Sequence, residues 1–441
     1  MITFRKIAYY LVILCLIWFP MQDTILSFLY RIYPGNYLFV FLILKEIMII
    51  SAFFLLLINF VMSNKLVISK IEIFSFLYLL LCLFYFLFVE VEGISKIAAF
   101  TTLRTLLLPI LLVIVGKWLM LNLKEIRIFT KVIITMGIFS VLFGFIEILI
   151  SVEKFWLGIM DLYGFLTNVK GMSLYHFVKS VPGNFWGFVG ERRMAGLHGS
   201  PLALGYYVVV PILITFSLMI SNYKINKFSC VILMIGIFLT ETRMAIIAVV
   251  LGIFLILKEQ VLNFILNSKI HKIAFLMLSF LIFGGITLIV LSDQVRSFLY
   301  KTITIQEGRA IGHLDALMQS VSVVDEFIIK GAGIGTAGAW ADIHGSRVKG
   351  MASENVYIPI MVQIGGISLF LFFLWWYNCY KKLSLKYKQE KNLYLKGLIK
   401  AILAANIVYF ISGFVSEQIL TFTSVAHFWL LLGILVGYRN L

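Results

Sequence analysis

Apolar runs long enough to cross a bilayer recur along the whole chain. They start near Ile7, Tyr37, Ile71, Ile97, Ile126, Pro201, Phe228, Met244, Ile273, Asn355, Leu398 and Ile419. A hydrocarbon core takes about 20 apolar residues per helix, and within it every backbone N–H and C=O must be paired inside the protein. The sequence therefore predicts an all-α polytopic membrane protein with about 12 transmembrane helices, forming a single integral membrane domain. Composition agrees: only 13% of residues are charged, about half the share usual in a soluble domain. The first run follows Arg5–Lys6 and is succeeded by Pro20, Met21, Gln22 and Asp23, with no small-x-small cleavage site. It is expected to be an uncleaved span. Cys15, Cys82, Cys230 and Cys379 sit in apolar runs or at a span end, which disfavours a disulfide framework.

The stretch from Phe228 to Leu257 is long for one span and short for two, and Glu241-Thr242-Arg243 interrupts it. Two short helices joined at an outer turn keep those charges out of hydrocarbon, where each would cost several kcal/mol. Charge then orients the chain. A net charge of +16 would suggest a nucleic-acid partner for a soluble protein. Here Lys and Arg gather on alternate short loops, including Lys117–Lys131 and Lys381–Lys400, against few acids (Glu72, Glu125, Glu259, Glu390). Cytoplasmic loops have this bias, so both termini are expected inside and nucleic acid is not an expected partner. Two outer segments are long, 153–200 and 292–353, the second a large loop between spans 9 and 10. Their mix of aromatics, Gly and charge marks them as ordered and functional rather than as linkers.

Charged residues inside spans are the first functional signal: Lys45 and Glu46 in the second, Arg104 in the fourth, Glu147 in the fifth. Lys45 and Arg104 share a depth of about 12 Å below the outer surface. Two readings stay open, a structural ion pair of Lys45 or Arg104 with Glu147, or a polar cavity open to the outside; the shared depth favours the cavity. Outer arginines are the second signal. Arg192 and Arg193 precede the sixth span, Arg243 opens the eighth, and Arg309 and Arg347 lie in the large loop. Guanidinium forks suit phosphate oxygens, and Arg243 stands where free helix N–H groups favour an anion. Each alone could be a headgroup contact; several converging predict a bound phosphate or pyrophosphate.

Gly333-Ile-Gly335-Thr-Ala-Gly338 follows the strand-like Glu326–Lys330. It lacks the surrounding βαβ unit of a dinucleotide site, so a Gly-rich turn is the better reading. His198, His313 and His344 lie on outer segments without zinc-ligand spacing.

Four stretches together resemble the O-antigen ligase and polymerase superfamily of envelope glycosyltransferases. They are Arg193-Met-Ala-Gly196 through Pro201 to Gly205; Thr240-Glu-Thr-Arg243-Met-Ala245; Arg309 with Lys330-Gly-Ala-Gly333-Ile-Gly335; and Ser353-Glu354-Asn355-Val-Tyr357 with Gln363-Ile-Gly365. The residues before Glu153 carry no matching motif. Ligases of the superfamily resemble one another in a His-Asn pair where this chain has Glu354-Asn355, which favours a repeat-unit polymerase. The resemblance implies a GT-C-like fold in a bacterial cytoplasmic (inner) membrane and an inverting transfer without metal or cofactor. Donor and acceptor would be undecaprenyl-diphosphate-linked glycans, and membrane lipid and a chain-length regulator would be further partners. Arg193 and Arg243 would stabilise the departing pyrophosphate, and Glu354 would accept the acceptor's proton. Arg192, Arg309, Arg347, Arg104, Lys45 and Asn355 are the candidate substrate-binding groups. A ligase acting on lipid A-core and a lipid-linked oligosaccharide flippase or transporter are the alternatives.

Overall fold

The computed structural model describes residues 2–63, 68–89, 91, 93–171, 185–186, 192–221, 223, 226–266, 318, 321, 324–338, 341 and 355–438. The run expected as the ninth span near Ile273, and the candidate residues Arg309, Arg347 and Glu354, lie outside them. Twelve helices organise the rest: α1 Ile2–Ile32, α2 Leu44–Ser63, α3 Lys70–Phe88, α4 Lys96–Trp118, α5 Leu123–Ile148, α6 Pro201–Ile220, α7 Lys227–Leu239, α8 Arg243–Leu266, α9 Tyr357–Ile364, α10 Gly366–Gln389, α11 Leu393–Ser412 and α12 Phe422–Gly437. Among the described residues, 7 of these are long and apolar enough to cross a membrane. The architecture is that of an all-α, multi-pass membrane protein. No strand forms among the described residues; an isolated bridge joins Trp186 and Arg192.

Helix starts follow local chemistry. Ser69 with Glu72, and Asn122 with Glu125, close capping boxes at α3 and α5. Ser200 caps α6, whose first residue is Pro201, a position where the missing N–H costs nothing. Helix α6 is the axis of the bundle: 89% of its most apolar window is buried, against 28% for α3. Leu80, Phe84, Leu87 and Phe88 of α3 are exposed, which suits a face turned to hydrocarbon. The closest helix pair is α4 with α12. Gly433 and Gly437, four apart, face the α4 backbone at Val113 and Lys117, while Gly116 faces Leu430 in return. A Cβ at any of them would overlap the opposite backbone, so absent side chains let the two helices touch.

The stretch Phe228–Leu257 is two helices, α7 and α8, turning at residues 240–242, as the interrupting charges require. The strand-like reading of Glu326–Lys330 is overturned. Val324–Phe327 is a helical turn and residues 328–330 continue as turn. Their backbone is spent on a different partner: a break in the apolar run between α9 and α10 at Gly365, φ 83°. Gly366 N donates to Ile328 O (2.7 Å), Ala332 N to Val362 O (2.6 Å) and Gly333 N to Gln363 O (3.0 Å). The break is thus closed by hydrogen bonds, as buried backbone groups demand.

A second, smaller core stands beyond one end of the bundle. The last turns of α1, with Leu26, pack on Val152, Phe155, Trp156, Phe165 and Phe185, so the segment from residue 153 begins as folded structure. All four cysteines are buried and free.

Gly433→Leu should separate α4 from α12 and cost about 3 kcal/mol, the upper end for overpacking. The measurement is the melting temperature of detergent-solubilised protein; an unchanged value would refute the close-contact account.

Candidate functional site

At the end of the bundle where α4, α6, α8 and α12 begin, a buried carboxylate fixes the chain. Glu147, in the last turn of α5, has no solvent exposure. It accepts hydrogen bonds from Trp156 Nε1 (2.8 Å), Ala195 N (3.1 Å) and Gly196 N (2.7 Å), and pairs with Arg192 Nη2 at 3.1 Å. Arg192 also donates to Ile150 O. The expectation that Glu147 pairs with Lys45 or Arg104 is therefore corrected. The segment leading into α6 folds over Glu147 and supplies its partners instead.

Residues 192–196, held this way, deliver Arg193 into the α7–α8 turn. Arg193 is 7% exposed, and it donates from Nε to Thr240 O (2.7 Å) and from Nη2 to Thr242 Oγ1 (2.9 Å). Thr242 Oγ1 in turn donates to Pro201 O (3.1 Å). Between the two threonines Glu241 takes φ 47°, a left-handed conformation uncommon for a residue with a side chain. The turn ends at Arg243, the first residue of α8. Arg193 is thus a brace that sets where α8 and its leading arginine begin.

Lys45, Glu46 and Arg104 form a second, charged cluster. Lys45 Nζ lies 3.2 Å and Arg104 Nη1 3.3 Å from Glu46 Oε1. Lys45 also donates to Leu42 O (2.8 Å), the last residue of the short helix Leu38–Leu42 that precedes α2. Lys45 Nζ stands 5.7 Å from the centroid of the Phe422 ring. A separate small space is formed in part by residues next to Arg104 and Phe422 in the chain. A cavity of about 60 Å³ is lined by Thr102 and Thr105 of α4, Gly338, Asn355, Gln363, Glu417 and Thr421, among others. Arg104 lies between Thr102 and Thr105 in α4, and Phe422 follows Thr421. Arg104 is thus next to lining residues along the chain and Lys45 is near the ring of another such neighbour; neither is itself part of the lining.

The glycine segment forms one wall. Gly335 has φ 93°, and a Cβ there would lie 2.9 Å from the Ala99 backbone, so only glycine lets the turn approach α4 so closely. Gln363 fixes it by accepting from Gly335 N (2.8 Å). Asn355 is 2% exposed and caps the start of α9, its Oδ1 accepting from Ile358 N (2.8 Å). Its Nδ2 meets no acceptor among the described residues, and neither does the buried Thr102 hydroxyl find a partner among them.

His198, expected on an outer segment, is 1% exposed and packs on Tyr207, with His427 on the other side of that ring. Burial lowers its pKa to about 3, so it is neutral and belongs to the packing. A larger cavity of about 300 Å³ opens at the opposite end of the bundle, beside Glu72, Lys117, Lys382 and Lys386. Lys117 there pairs with Glu72 and donates to Ser69 Oγ (2.8 Å), and Lys386 caps the carbonyls ending α12. Those cations are engaged in holding helix ends.

The structure brings Lys45 and Arg104 together on Glu46, places Asn355 in the wall of the small cavity, and brings Arg193 to the turn that ends at Arg243. Arg192 is committed to Glu147. Glu417 was not singled out from the sequence: its only signal is a lone acid in the short turn before the last apolar run. Compared with known protein families and with curated proteins, the chain matches none.

Glu147→Leu should destabilise the protein by about 3 kcal/mol or more, because it strands Arg192 and two backbone donors. Thermal melting in detergent measures this. Arg192→Met combined with Glu147→Leu should recover part of the loss, and a double variant worse than the single would contradict the pairing.

Proposed function

We propose that this protein polymerises undecaprenyl-diphosphate-linked oligosaccharide repeat units into a surface polysaccharide, as a metal-independent, inverting glycosyltransferase. The observation that carries the reading is how the resembling stretches meet. Arg193 bonds to Thr240 and Thr242, and Gly335 bonds to Gln363, across gaps of 47, 49 and 28 residues. Motifs that pack on one another at one end of a bundle are what a shared site requires.

In this reading the chain has about twelve spans: α1 to α8, one in the run near Ile273, the broken pair α9–α10, then α11 and α12. The positive-inside bias puts both termini in the cytoplasm and the cavity end at the outer face of the cytoplasmic membrane. The fold is then GT-C-like, with a large loop between spans 9 and 10. The chemistry follows from the charges. Glycosyl transfer builds negative charge on the departing diphosphate, and fixed guanidinium groups stabilise it best when they are already positioned. Arg243 at the start of α8 is the first such group, and Arg193 positions it. Lys45 and Arg104 offer further positive charge. Arg309 and Arg347 of the large loop complete the candidate anion-binding set. Glu354-Asn355, where ligases resemble one another in His-Asn, favours polymerase over transfer to lipid A-core.

Deleting the gene and separating the surface glycan on a gel tests the reading. A product capped at a single repeat is expected. Long polymer left on the lipid carrier would indicate a ligase, and complete loss of surface glycan would indicate a transporter. Arg243→Ala should abolish chain extension while the protein stays in the membrane; full-length polymer from that variant would remove the diphosphate role.

A further inference from the structure

The small cavity carries in its wall a carboxylate whose place the sequence did not reveal. Glu417 opens a short 3-10 turn, Glu417–Leu420, which Ser416 caps by accepting from Gln418 N (3.3 Å). The turn is fixed on both sides. Ser424 Oγ donates to Gln418 Oε1 (2.8 Å), and Trp429 Nε1 donates to Ile419 O (3.1 Å). Glu417 directs its carboxylate toward the glycine wall: its oxygens lie 3.5 and 4.0 Å from where a Cβ on Gly338 would stand. Gly338 has no such atom, and both residues line the small cavity.

Two further groups face the same space with hydrogen-bonding capacity in hand among the described residues, Asn355 Nδ2 and Thr102 Oγ1. Leaving a buried donor unmet costs about 1–3 kcal/mol, so such groups persist where a ligand meets them. A carboxylate, an amide donor and a hydroxyl around one small space match a hydroxyl-bearing ligand: the hydroxyl donates to the first and accepts from the second. The cations stand outside the lining, Arg104 on the same helix as Thr102 and Lys45 over the ring that follows Thr421. The arrangement separates a place for a hydroxyl from a place for an anion.

We infer that Glu417 is the residue that accepts the proton of the acceptor sugar's hydroxyl, with Asn355 and Thr102 orienting that hydroxyl; this rests on the polymerase reading above. The acceptor oxygen forms a bond to the anomeric carbon of the donor. The bond from that carbon to the diphosphate oxygen breaks, and undecaprenyl diphosphate leaves with its electron pair. The hydroxyl proton passes to the Glu417 carboxylate and from there to water. This gives Glu417 the role that the resemblance assigned to Glu354.

The test uses the full-length protein in lipid nanodiscs with purified undecaprenyl-diphosphate-linked repeat units. Chain extension, binding of the units and melting temperature are read for wild type, Glu417→Gln, Glu417→Asp and Glu354→Gln. Expected is extension by the wild type and a fall of about 100-fold or more in Glu417→Gln, the usual contribution of a general base. Binding should stay within about twofold, since the amide keeps the side chain's shape. Glu417→Asp should keep part of the rate and shift the acid limb of the pH profile, where protonation of the base removes activity. Extension at the wild-type rate by Glu417→Gln, with loss confined to Glu354→Gln, overturns the inference and leaves the polymerase reading standing. A wild type that binds the units but never extends them overturns both. If Glu417→Gln does not fold, an acid limb identical in wild type and Glu417→Asp overturns the assignment.

Discussion

Taking a carboxylate out of water costs several kcal/mol even after a protein relaxes around it, so a buried one must gather enough donors to offset that loss. Glu147 does so with a guanidinium, an indole and two backbone N–H groups. Those donors come from two segments that pack in the second core, the aromatic turn at Trp156 and residues 192–196. Because they converge on one side chain, the approach to α6 is fixed in direction. Everything at that end inherits the direction: Arg193 reaches the α7–α8 turn, Thr242 meets Pro201, and Arg243 begins α8.

Much of the helical plan was legible because it is written in one dimension. The apolar run at Pro201 begins with a capping Ser200 and a helix-starting proline, and α6 begins there. The Glu241-Thr242-Arg243 interruption announced a turn, and α7 ends at Leu239. The break at Gly365 was not legible, since Gln363-Ile-Gly365-Gly366 reads as part of a continuous apolar stretch. It exists because a glycine segment about thirty residues earlier supplies the hydrogen bonds, a fact about chain path rather than composition. Pairing was the least legible. Depth could be counted along each helix, and it placed Lys45, Arg104 and Glu147 at one level. Rotation about the helix axes could not be counted, and it turned Arg104 toward Glu46 and Glu147 toward Arg192. Glu417 was overlooked for the same reason: a lone acid in a turn gains meaning only from Asn355 and Gly338 beside it.

The Lys45–Glu46–Arg104 cluster differs from Glu147 in kind. Two cations share one carboxylate in a largely buried place. Neither oxygen of Glu46 has a partner with hydrogen-bond geometry among the described residues, although both cations are close. A purely structural pair would gain from tighter contacts. The loose contacts of Glu46 contrast with the saturated Glu147, which is a fastening.

Gly338 and Asn355 line the same cavity, so two points well separated in the chain meet at one place. Each end is tied down independently, Gly335 by Gln363 and Asn355 by the first turn of α9. The entropy of closing a loop between fixed ends grows only slowly with its length. A change of length between these two anchors is therefore expected to cost the helices little stability. Such a junction separates what the chain carries between its anchors from the floor that the anchors share.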